Sequence, residues 1–327
     1  MKTPSLVIGY WLLVILLLVS PVRAMSVPPP TSEVVNPTIE YVSSFGLPGS
    51  GDRQFNFPYD IDVAMIGDLE TGLGNIFVAD TGNNRVQRFD ADGSYRYQFG
   101  NFGNEPGRFN APDGIAVDFN NQIYVADKDS DRVQCLDIRG NFIREVATGE
   151  INYKQINRPM GMDVDHLGNL YVVDSANDRV LKFDEAGNYL GVIGGFGYGL
   201  GFFDAPNDVA VDRGQNLYVA DTNNNRIQKF DYDGRAILII GKWGAGDGEF
   251  YQPRGVAVDD HLIYVADSGN NRIQILTKEG KFVATFGRKG SKHGEFNGPI
   301  GIALGRQGRL YVADTGNNRI VELRVTY

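Results

Sequence analysis

Short apolar stretches alternate with turn residues along most of the chain, and this pattern predicts an all-β protein. Residues 114–146 illustrate it with four strand-like stretches: Gly114–Asp118, Gln122–Ala126, Arg132–Asp137 and Asn141–Val146. Asn, Asp and Gly residues separate them, as is typical of antiparallel hairpins. The first two stretches are apolar at nearly every position, which indicates strands covered on both faces. The third mixes polar and apolar residues and is predicted to be an outer strand.

This pattern of four strands recurs six times. The copies include VADTGNNRVQRFD from Val78 and VADTGNNRIVELR from Val312, and their third residue is always Asp, at positions 80, 127, 174, 221, 267 and 314. The spacings are 47, 47, 47, 46 and 47 residues. Such a period is typical of repeat architectures, in which each unit buries its apolar face against its neighbours. Residues that all copies share are therefore expected to be scaffold, and residues unique to one copy are candidates for function.

The ends of the chain predict that the repeats close into a ring. The sixth unit stops at its third strand, whereas residues 39–46 precede the first unit and end in Phe45–Gly46, as a fourth strand does at Phe99–Gly100. We therefore expect the first strand to complete the last blade, which removes two exposed sheet edges. The predicted fold class is all-β, a six-bladed β-propeller of four-stranded blades spanning residues 39–327.

The repeated unit resembles the NHL repeat. It reads P-x-G-[IV]-A-V-D, then Y-V-A-D-[ST]-x-N-N-R-[IV]-Q-x-F, and the resemblance covers the whole ring. It implies a propeller, but family members range from protein- and RNA-docking domains to extracellular sensor domains and a lyase with metal-bound His. The places matching that lyase's metal-binding His are held by Asn84, Asp131, Asp178, Asn225, Asn271 and Asn318. Catalysis by a metal–His route is therefore not expected.

The N-terminal segment indicates export. Lys2 precedes an apolar run from Leu6 to Val19, and small residues follow up to Ala24. We interpret residues 1–24 as a signal peptide, with an uncleaved membrane anchor as the alternative. Residues 25–38 are rich in Pro and Ser and are predicted to be a linker. The predicted location is extracytoplasmic, either secreted or periplasmic, or membrane-tethered and facing outward.

Charge and cysteine content restrict the partners. The net charge of −9 becomes −11 if Lys2 and Arg23 leave with a signal peptide, so nucleic acid is not an expected partner. Cys135 is the only cysteine, so no disulfide within the chain is possible. Its place in a third strand suggests a tolerated small residue. The six repeated Asp–Arg pairs, such as Asp80 and Arg85, are interpreted as turn braces.

Four carboxylates break the repeat in the inner strands. The usual start is Gly-[Ile/Val]-Ala, but Asp60 and Asp208 replace the Gly and Asp62 and Asp163 replace the Ala. They are expected to surround the central channel, where oxygen ligands suit Ca²⁺. The alternative interpretation is a water-filled channel whose carboxylates bind water and backbone amides. No cofactor is required by the sequence, and Ca²⁺ is a possible one.

The connections between blades suggest a binding face. They contain aromatic residues among glycines, and we expect Phe102 and Phe196 to cap the core. The predicted ligand contacts are Tyr59, Asp113, Met160, Tyr198, Trp243 and Arg254. The favoured function is a non-enzymatic recognition module for a protein, peptide or glycan. The alternative is a Ca²⁺-dependent hydrolase or lyase with carboxylates at the channel mouth.

Overall fold

The computed structural model describes residues 37–64, 74–152 and 154–327. The predicted signal peptide and most of the predicted linker lie outside the described residues. So does most of an insertion that lengthens the first repeat, at residues 65–73. Among the described residues, none of the helical segments has the length and apolar character needed to cross a membrane.

The described residues form twenty-eight strands, arranged mainly as four-stranded antiparallel sheets. Strand β1 covers Thr38–Phe45, and the short strands β2 and β3 cover Leu47–Pro48 and Gln54–Phe55. Blade 1 contains β4 (Pro58–Ala64), β5 (Asn75–Asp80), β6 (Arg85–Asp90) and β7 (Tyr95–Phe99). Blade 2 contains β8 (Pro112–Val117), β9 (Ile123–Asp127), β10 (Arg132–Leu136) and β11 (Phe142–Thr148), and a small hairpin of β12 (Glu150–Ile151) and β13 (Lys154–Gln155) follows it. Blade 3 contains β14 (Pro159–Val164), β15 (Leu170–Asp174), β16 (Arg179–Phe183) and β17 (Tyr189–Gly194). Blade 4 contains β18 (Asp208–Val211), β19 (Leu217–Asp221), β20 (Arg226–Phe230) and β21 (Ala236–Ile240). Blade 5 contains β22 (Gly255–Val258), β23 (Leu262–Asp267), β24 (Arg272–Thr277) and β25 (Phe282–Phe286). Blade 6 contains β26 (Ile302–Leu304), β27 (Arg309–Asp314) and β28 (Arg319–Thr326). Single 3₁₀ turns join the second and third strands of five blades, at Thr81–Asn83, Lys128–Ser130, Ser175–Asn177, Ser268–Asn270 and Thr315–Asn317.

The first strand closes the ring, as predicted. Strand β1 pairs antiparallel with β28, with Tyr41 opposite Leu323 and Phe45 opposite Ile320. The sixth sheet therefore has the order β1-β28-β27-β26. The innermost strand of each blade contacts that of the next, and β26 contacts β4 to complete the circle. The predicted all-β, six-bladed propeller is confirmed.

The core lies between successive blades. The second strands of blades 2 to 6 each bury a tyrosine, namely Tyr124, Tyr171, Tyr218, Tyr264 and Tyr311. Phe109, Phe203, Phe250 and Phe296 are fully buried beneath the inter-blade connections. Cys135 is also buried, and this burial raises the pKa of its thiol to about 11. The thiolate is the reactive form of cysteine, and a buried thiol with a raised pKa holds little of it at neutral pH. Cys135 therefore has a packing role.

The repeated Asp–Arg pairs are structural braces, as predicted. In blade 4 the Arg226 Nε donates to Asp221 Oδ2 at 2.6 Å, and the same guanidinium donates to the carbonyls of Tyr198, Gly199 and Phe202. The other five pairs have N–O distances of 2.6 to 2.9 Å. Each brace therefore also fixes the backbone of the adjacent inter-blade connection.

A second repeated contact joins each blade to the next. Asn84 lies in the left-handed region at φ 56°, and its Oδ1 accepts a hydrogen bond from the Ala111 amide at 2.9 Å. Equivalent bonds recur around the ring, closing with the Phe57 amide on Asn318. Asn and Asp tolerate this backbone conformation better than most residues. The positions that match the lyase's His therefore have a structural role here.

Candidate functional site

The inner strands surround a central channel with a cavity of about 610 Å³. All four carboxylates that break the repeat line this cavity, as the sequence predicted. We call Asp60, Asp62, Asp163 and Asp208 the channel carboxylates. They come from blades 1, 3 and 4 only, because the other blades keep Gly and Ala at these positions.

Each channel carboxylate bridges its own blade and the next. Asp163 accepts hydrogen bonds from the Val164 amide in blade 3 and the Val211 amide in blade 4, both at 2.7 Å. Asp62 does the same for the Val63 and Val117 amides, also at 2.7 Å. Asp208 accepts from the Val209 and Val256 amides at 2.9 Å, and Asp60 accepts from the Ile115 amide at 3.0 Å. The carboxylates thus bind the inner strands to one another.

Glycines make room for two of these side chains. A Cβ atom on Gly161 would lie 2.1 Å from Asp208 Oδ1, and one on Gly301 would lie 2.7 Å from Asp60 Oδ1. Gly161 of blade 3 is therefore complementary to Asp208 of blade 4, and Gly301 of blade 6 is complementary to Asp60 of blade 1. In blades 2 and 5, Cβ atoms on Gly114 and Gly255 would instead meet the carbonyl oxygens of Met160 and Ile300, at 2.1 and 2.0 Å, so the next blade's backbone also favours glycine in this position.

Burial raises the pKa of every channel carboxyl. The pKa of Asp62 rises to about 6, that of Asp60 to about 7 and that of Asp163 to about 8. The negative charge of Asp62 adds to the effect of burial at Asp163, and that of Asp60 adds to it at Asp208, whose pKa also lies well above its usual range. The backbone N–H donors oppose these shifts because they favour the ionised form.

The channel carboxylates are a poor match for Ca²⁺ in this arrangement. Ca²⁺ requires six to eight oxygen ligands, and these oxygens already accept backbone hydrogen bonds. Within residues 37–64, 74–152 and 154–327, no three His, Cys, Asp or Glu side chains are grouped so as to hold a metal ion. Ca²⁺ binding remains a prediction, and the alternative interpretation of backbone-bound carboxylates accounts for the observed contacts.

Above the channel carboxylates, six different residues form a ring at the inter-blade face. We call this set the mouth ring: Tyr59, Asp113, Met160, Asn207, Arg254 and Ile300. They occupy one column of the repeat, directly before the Gly or Asp of each inner strand. Tyr59 crosses the channel, since its hydroxyl accepts hydrogen bonds from Asn207 Nδ2 at 3.2 Å and Arg254 Nη1 at 3.4 Å. The neck that remains has a volume of about 10 Å³, which is room for about one water molecule.

The predicted ligand contacts in the mouth ring have different environments. Asp113 is buried and lies 3.1 Å from the Lys128 ammonium, and burial raises its pKa to about 6. Arg254 is half-buried and lines the neck. Met160 packs in the core against Tyr171 and Phe203, so a ligand on this face would not reach its side chain. The sequence analysis missed Asn207, although its place in the same variable column could have identified it.

The predicted aromatic contacts Tyr198 and Trp243 are the most exposed large apolar side chains of the described residues, at 70% and 71%. Phe102 and Phe196 are also exposed, at 67% and 64%, so our expectation that they cap the core was wrong. Phe109 and Phe203, seven residues later in each connection, perform the capping. The short parallel bridges Phe102–Phe109 and Phe196–Phe203 place one ring of each pair outside and the other inside.

The first eight residues of the connection between blades 3 and 4 are all glycine, aromatic or aliphatic. We call residues 195–202 the aromatic loop; it exposes Phe196, Tyr198, Leu200 and Phe202. The equivalent residues are Phe102, Asn104, Pro106 and Arg108 in one connection, and Trp243, Ala245, Asp247 and Glu249 in another. The rings of Phe196 and Tyr198 pack edge to face, with their centroids 6.0 Å apart. Arg226 and Gln228 hold the loop through its carbonyls.

Comparison with known families agrees with this geometry. A family model described as the NHL repeat matches residues 203–230, 250–276 and 296–323, and one described as a 6-bladed beta-propeller matches residues 59–154. The chain contains NHL repeats and folds as a six-bladed β-propeller. These matches identify the fold and the repeat type of the chain. They do not identify an activity, because propellers with these repeats have diverse activities.

Similar proteins extend the likeness without fixing an activity. The NHL-repeat chain is 32% identical over 93 residues to "Protein brain tumor" of Drosophila melanogaster, a match that covers 28% of this chain and 8% of that protein. A Bacteroides thetaiotaomicron protein of unknown function has a TM-score of 0.66 at 18% identity, covering 89% of this chain and 76% of its own. A gluconolactonase from Xanthomonas campestris has a TM-score of 0.62 at 16% identity, covering 84% and 88%. At these identities the two structures show a shared fold alone.

Proposed function

We propose that this protein is an exported, non-enzymatic recognition module that binds a protein, peptide or glycan through its inter-blade face. The observation that carries the proposal is the aromatic loop. It is apolar at all four of its non-glycine positions, whereas every other full-length connection carries a polar or charged residue at two or more of the equivalent positions. Contiguous exposed apolar side chains on a soluble domain are typical of interaction sites.

The composition of this surface favours recognition. Tyr198 and Trp243 belong to the residue types that contribute most to the centres of protein interfaces. Leu200 and Phe202 add exposed apolar area to the loop that carries Tyr198. Because the Asp221–Arg226 brace fixes the loop before binding, little conformational entropy is lost when a partner contacts it.

Export remains part of the proposal. Residues 1–24 would direct the chain out of the cytoplasm or anchor it, and residues 25–38 would link them to the propeller. A location outside the cytoplasm is compatible with a fold that needs no disulfide.

The test is capture of a partner from native surface extracts by the immobilised propeller, compared with a Tyr198→Ala, Trp243→Ala double variant. Loss of these two side chains removes the most exposed rings and should reduce capture at least about tenfold, as for interface hot spots. Tyr232→Ala is the matched control, since Tyr232 is 62% exposed and lies in a turn on the opposite face. Protease treatment or periodate oxidation of the extract distinguishes a protein from a glycan partner. Equal capture by all three proteins would disprove the proposed face.

A further inference from the structure

The mouth ring contains hydrogen-bond donors that lack acceptors. Tyr59 accepts two hydrogen bonds through its hydroxyl oxygen, and no described residue accepts one from its O–H. The only hydrogen bond of the Arg254 guanidinium to a described residue is the 3.4 Å contact with Tyr59. A guanidinium has five N–H donors, so the described residues use only a small part of its hydrogen-bonding capacity.

The charge of Arg254 is also uncompensated. No described carboxylate forms an ion pair with it, although ion pairs are frequent elsewhere on the inter-blade face, such as Lys242 with Glu249 and Arg288 with Glu295. The one acidic residue of the mouth ring, Asp113, is paired with Lys128. Asp60 and Asp208 also line the neck, and each accepts a hydrogen bond from a backbone amide of the next blade.

We infer that the mouth ring binds a carboxylate of the partner through Arg254 and Tyr59. The planar guanidinium matches the geometry of a carboxylate, and the tyrosine O–H supplies an additional donor. Burial raises the pKa of Tyr59, so its hydroxyl keeps its proton at neutral pH. The inference rests on the proposed recognition function, because it names the chemistry of the group that the partner inserts.

The size and lining of the neck place the bound carboxylate on its outer side. The neck has a volume of about 10 Å³, room for about one water molecule, and Asp60, Asp113 and Asp208 also line it, so both carboxylate oxygens would stay above it, at the guanidinium. Arg254 also ends the connection that presents Trp243, at residues 241–254. A partner that contacts Trp243 could therefore place an acidic group at the mouth ring without leaving the same connection.

Acetate is the probe for this site, with acetamide as its neutral analogue of the same shape. The readout is the chemical shift of the Asn207 side-chain amide, which lies beside the Tyr59 hydroxyl. We expect a saturable shift with acetate at about millimolar concentration, typical of one small charged group, and none with acetamide. Equal responses to both probes would overturn the inference.

Variants locate the response. Arg254→Met should weaken acetate binding at least about tenfold, and Tyr59→Phe, which keeps the ring across the neck, about two- to tenfold through loss of one donor. Arg139→Met, which removes an exposed arginine from an outer turn of blade 2, is the control. If Arg254→Met disturbs the fold, Tyr59→Phe still decides. Unchanged acetate affinity in the folded variants would refute the site.

Two further probes separate the sources of the carboxylate. N-acetylglycine represents a chain terminus, and the α-amide of N-acetylglutamate represents an acidic side chain. Tighter binding of either than of acetate supports the inference and identifies the source, whereas binding of acetate alone would contradict a role in partner recognition. The recognition function itself is tested separately, by partner capture with the Tyr198→Ala, Trp243→Ala variant. If that variant loses capture but the parent protein binds no acetate, the recognition function stands and this inference is refuted.

Discussion

The complementarity of Gly161 and Asp208 gives a sharp test of how the blades are joined. Alanine at position 161 would place its Cβ 2.1 Å from Asp208 Oδ1, well short of the 3.4 Å at which ordinary contact begins. The Asp208 carboxylate cannot move without losing the Val209 and Val256 amides, each at 2.9 Å. Blades 3 and 4 must therefore separate, or the carboxylate must give up its hydrogen bonds.

Both responses are costly. A buried hydrogen bond contributes about 0.5–1.5 kcal/mol, and overpacking a rigid site costs about 1–3 kcal/mol. We expect Gly161→Ala to lower the free energy of unfolding by about 2–4 kcal/mol. The melting temperature should fall by about 4–16 °C, since large domains lose about 2–4 °C per kcal/mol.

Urea unfolding and calorimetry measure the effect, with Gly191→Ala as the control. Gly191 lies in outer strand β17, where a Cβ would meet nothing within 4 Å, so alanine there should be neutral or stabilise by about 0.4–1 kcal/mol through the unfolded state. Asp208→Gly should relieve Gly161→Ala in part, because it removes the carboxyl oxygen at 2.1 Å and leaves the Cα of residue 208 at 2.8 Å. The double variant should then be more stable than the sum of the single effects by about 1 kcal/mol. Additivity within about 0.5 kcal/mol, or a Gly161→Ala protein as stable as the parent, would refute the reasoning.

Two other predictions concern pH and the C-terminus. The channel carboxyls have raised pKa values in the folded state, up to about 8 at Asp163, so the folded protein binds more protons than the unfolded chain above about pH 4. The stability that these protonated carboxyls contribute is complete below that pH and is lost as the pH rises through about 6 to 8. The free energy of unfolding, measured by urea titration, should therefore decrease from about pH 5 to pH 8. An increase over this range would contradict the raised pKa values. Tyr327→Phe removes the hydroxyl that donates to Asp259 at 2.7 Å and lies 2.8 Å from the Tyr264 hydroxyl, and it should cost about 1 kcal/mol. Tyr232→Phe, at an exposed site, should change nothing, and equal stability of the two variants would show that the C-terminal contact is unimportant.

Much of the fold could be read from the chain. The period of 47 residues predicted six blades, and the unfinished last unit predicted closure by the first strand. The mouth ring was partly predicted, because Tyr59, Asp113 and Arg254 differ from their counterparts in the other repeats. Exposure was less predictable: Phe196 and Phe203 are both aromatic residues of one connection, and only the loop's path puts one outside and the other in the core.

By itself, the sequence determined the architecture and the residues that depart from the repeat, because periodicity encodes contacts between neighbouring strands and neighbouring blades. The tertiary structure alone decided what those unusual residues contact. Tyr59 meets Asn207 and Arg254 across the channel, 148 and 195 residues away, and no local pattern specifies such a contact. In the same way, the turn between the first two strands of blade 5 is one residue shorter than in the other blades. In blade 4 the Asn216 side chain donates a hydrogen bond to Asp212 in this turn, whereas in blade 5 the hydroxyl of Tyr327 donates to Asp259. These contacts exist because closing the ring brings distant segments to one axis, and that closure is a property of the whole chain.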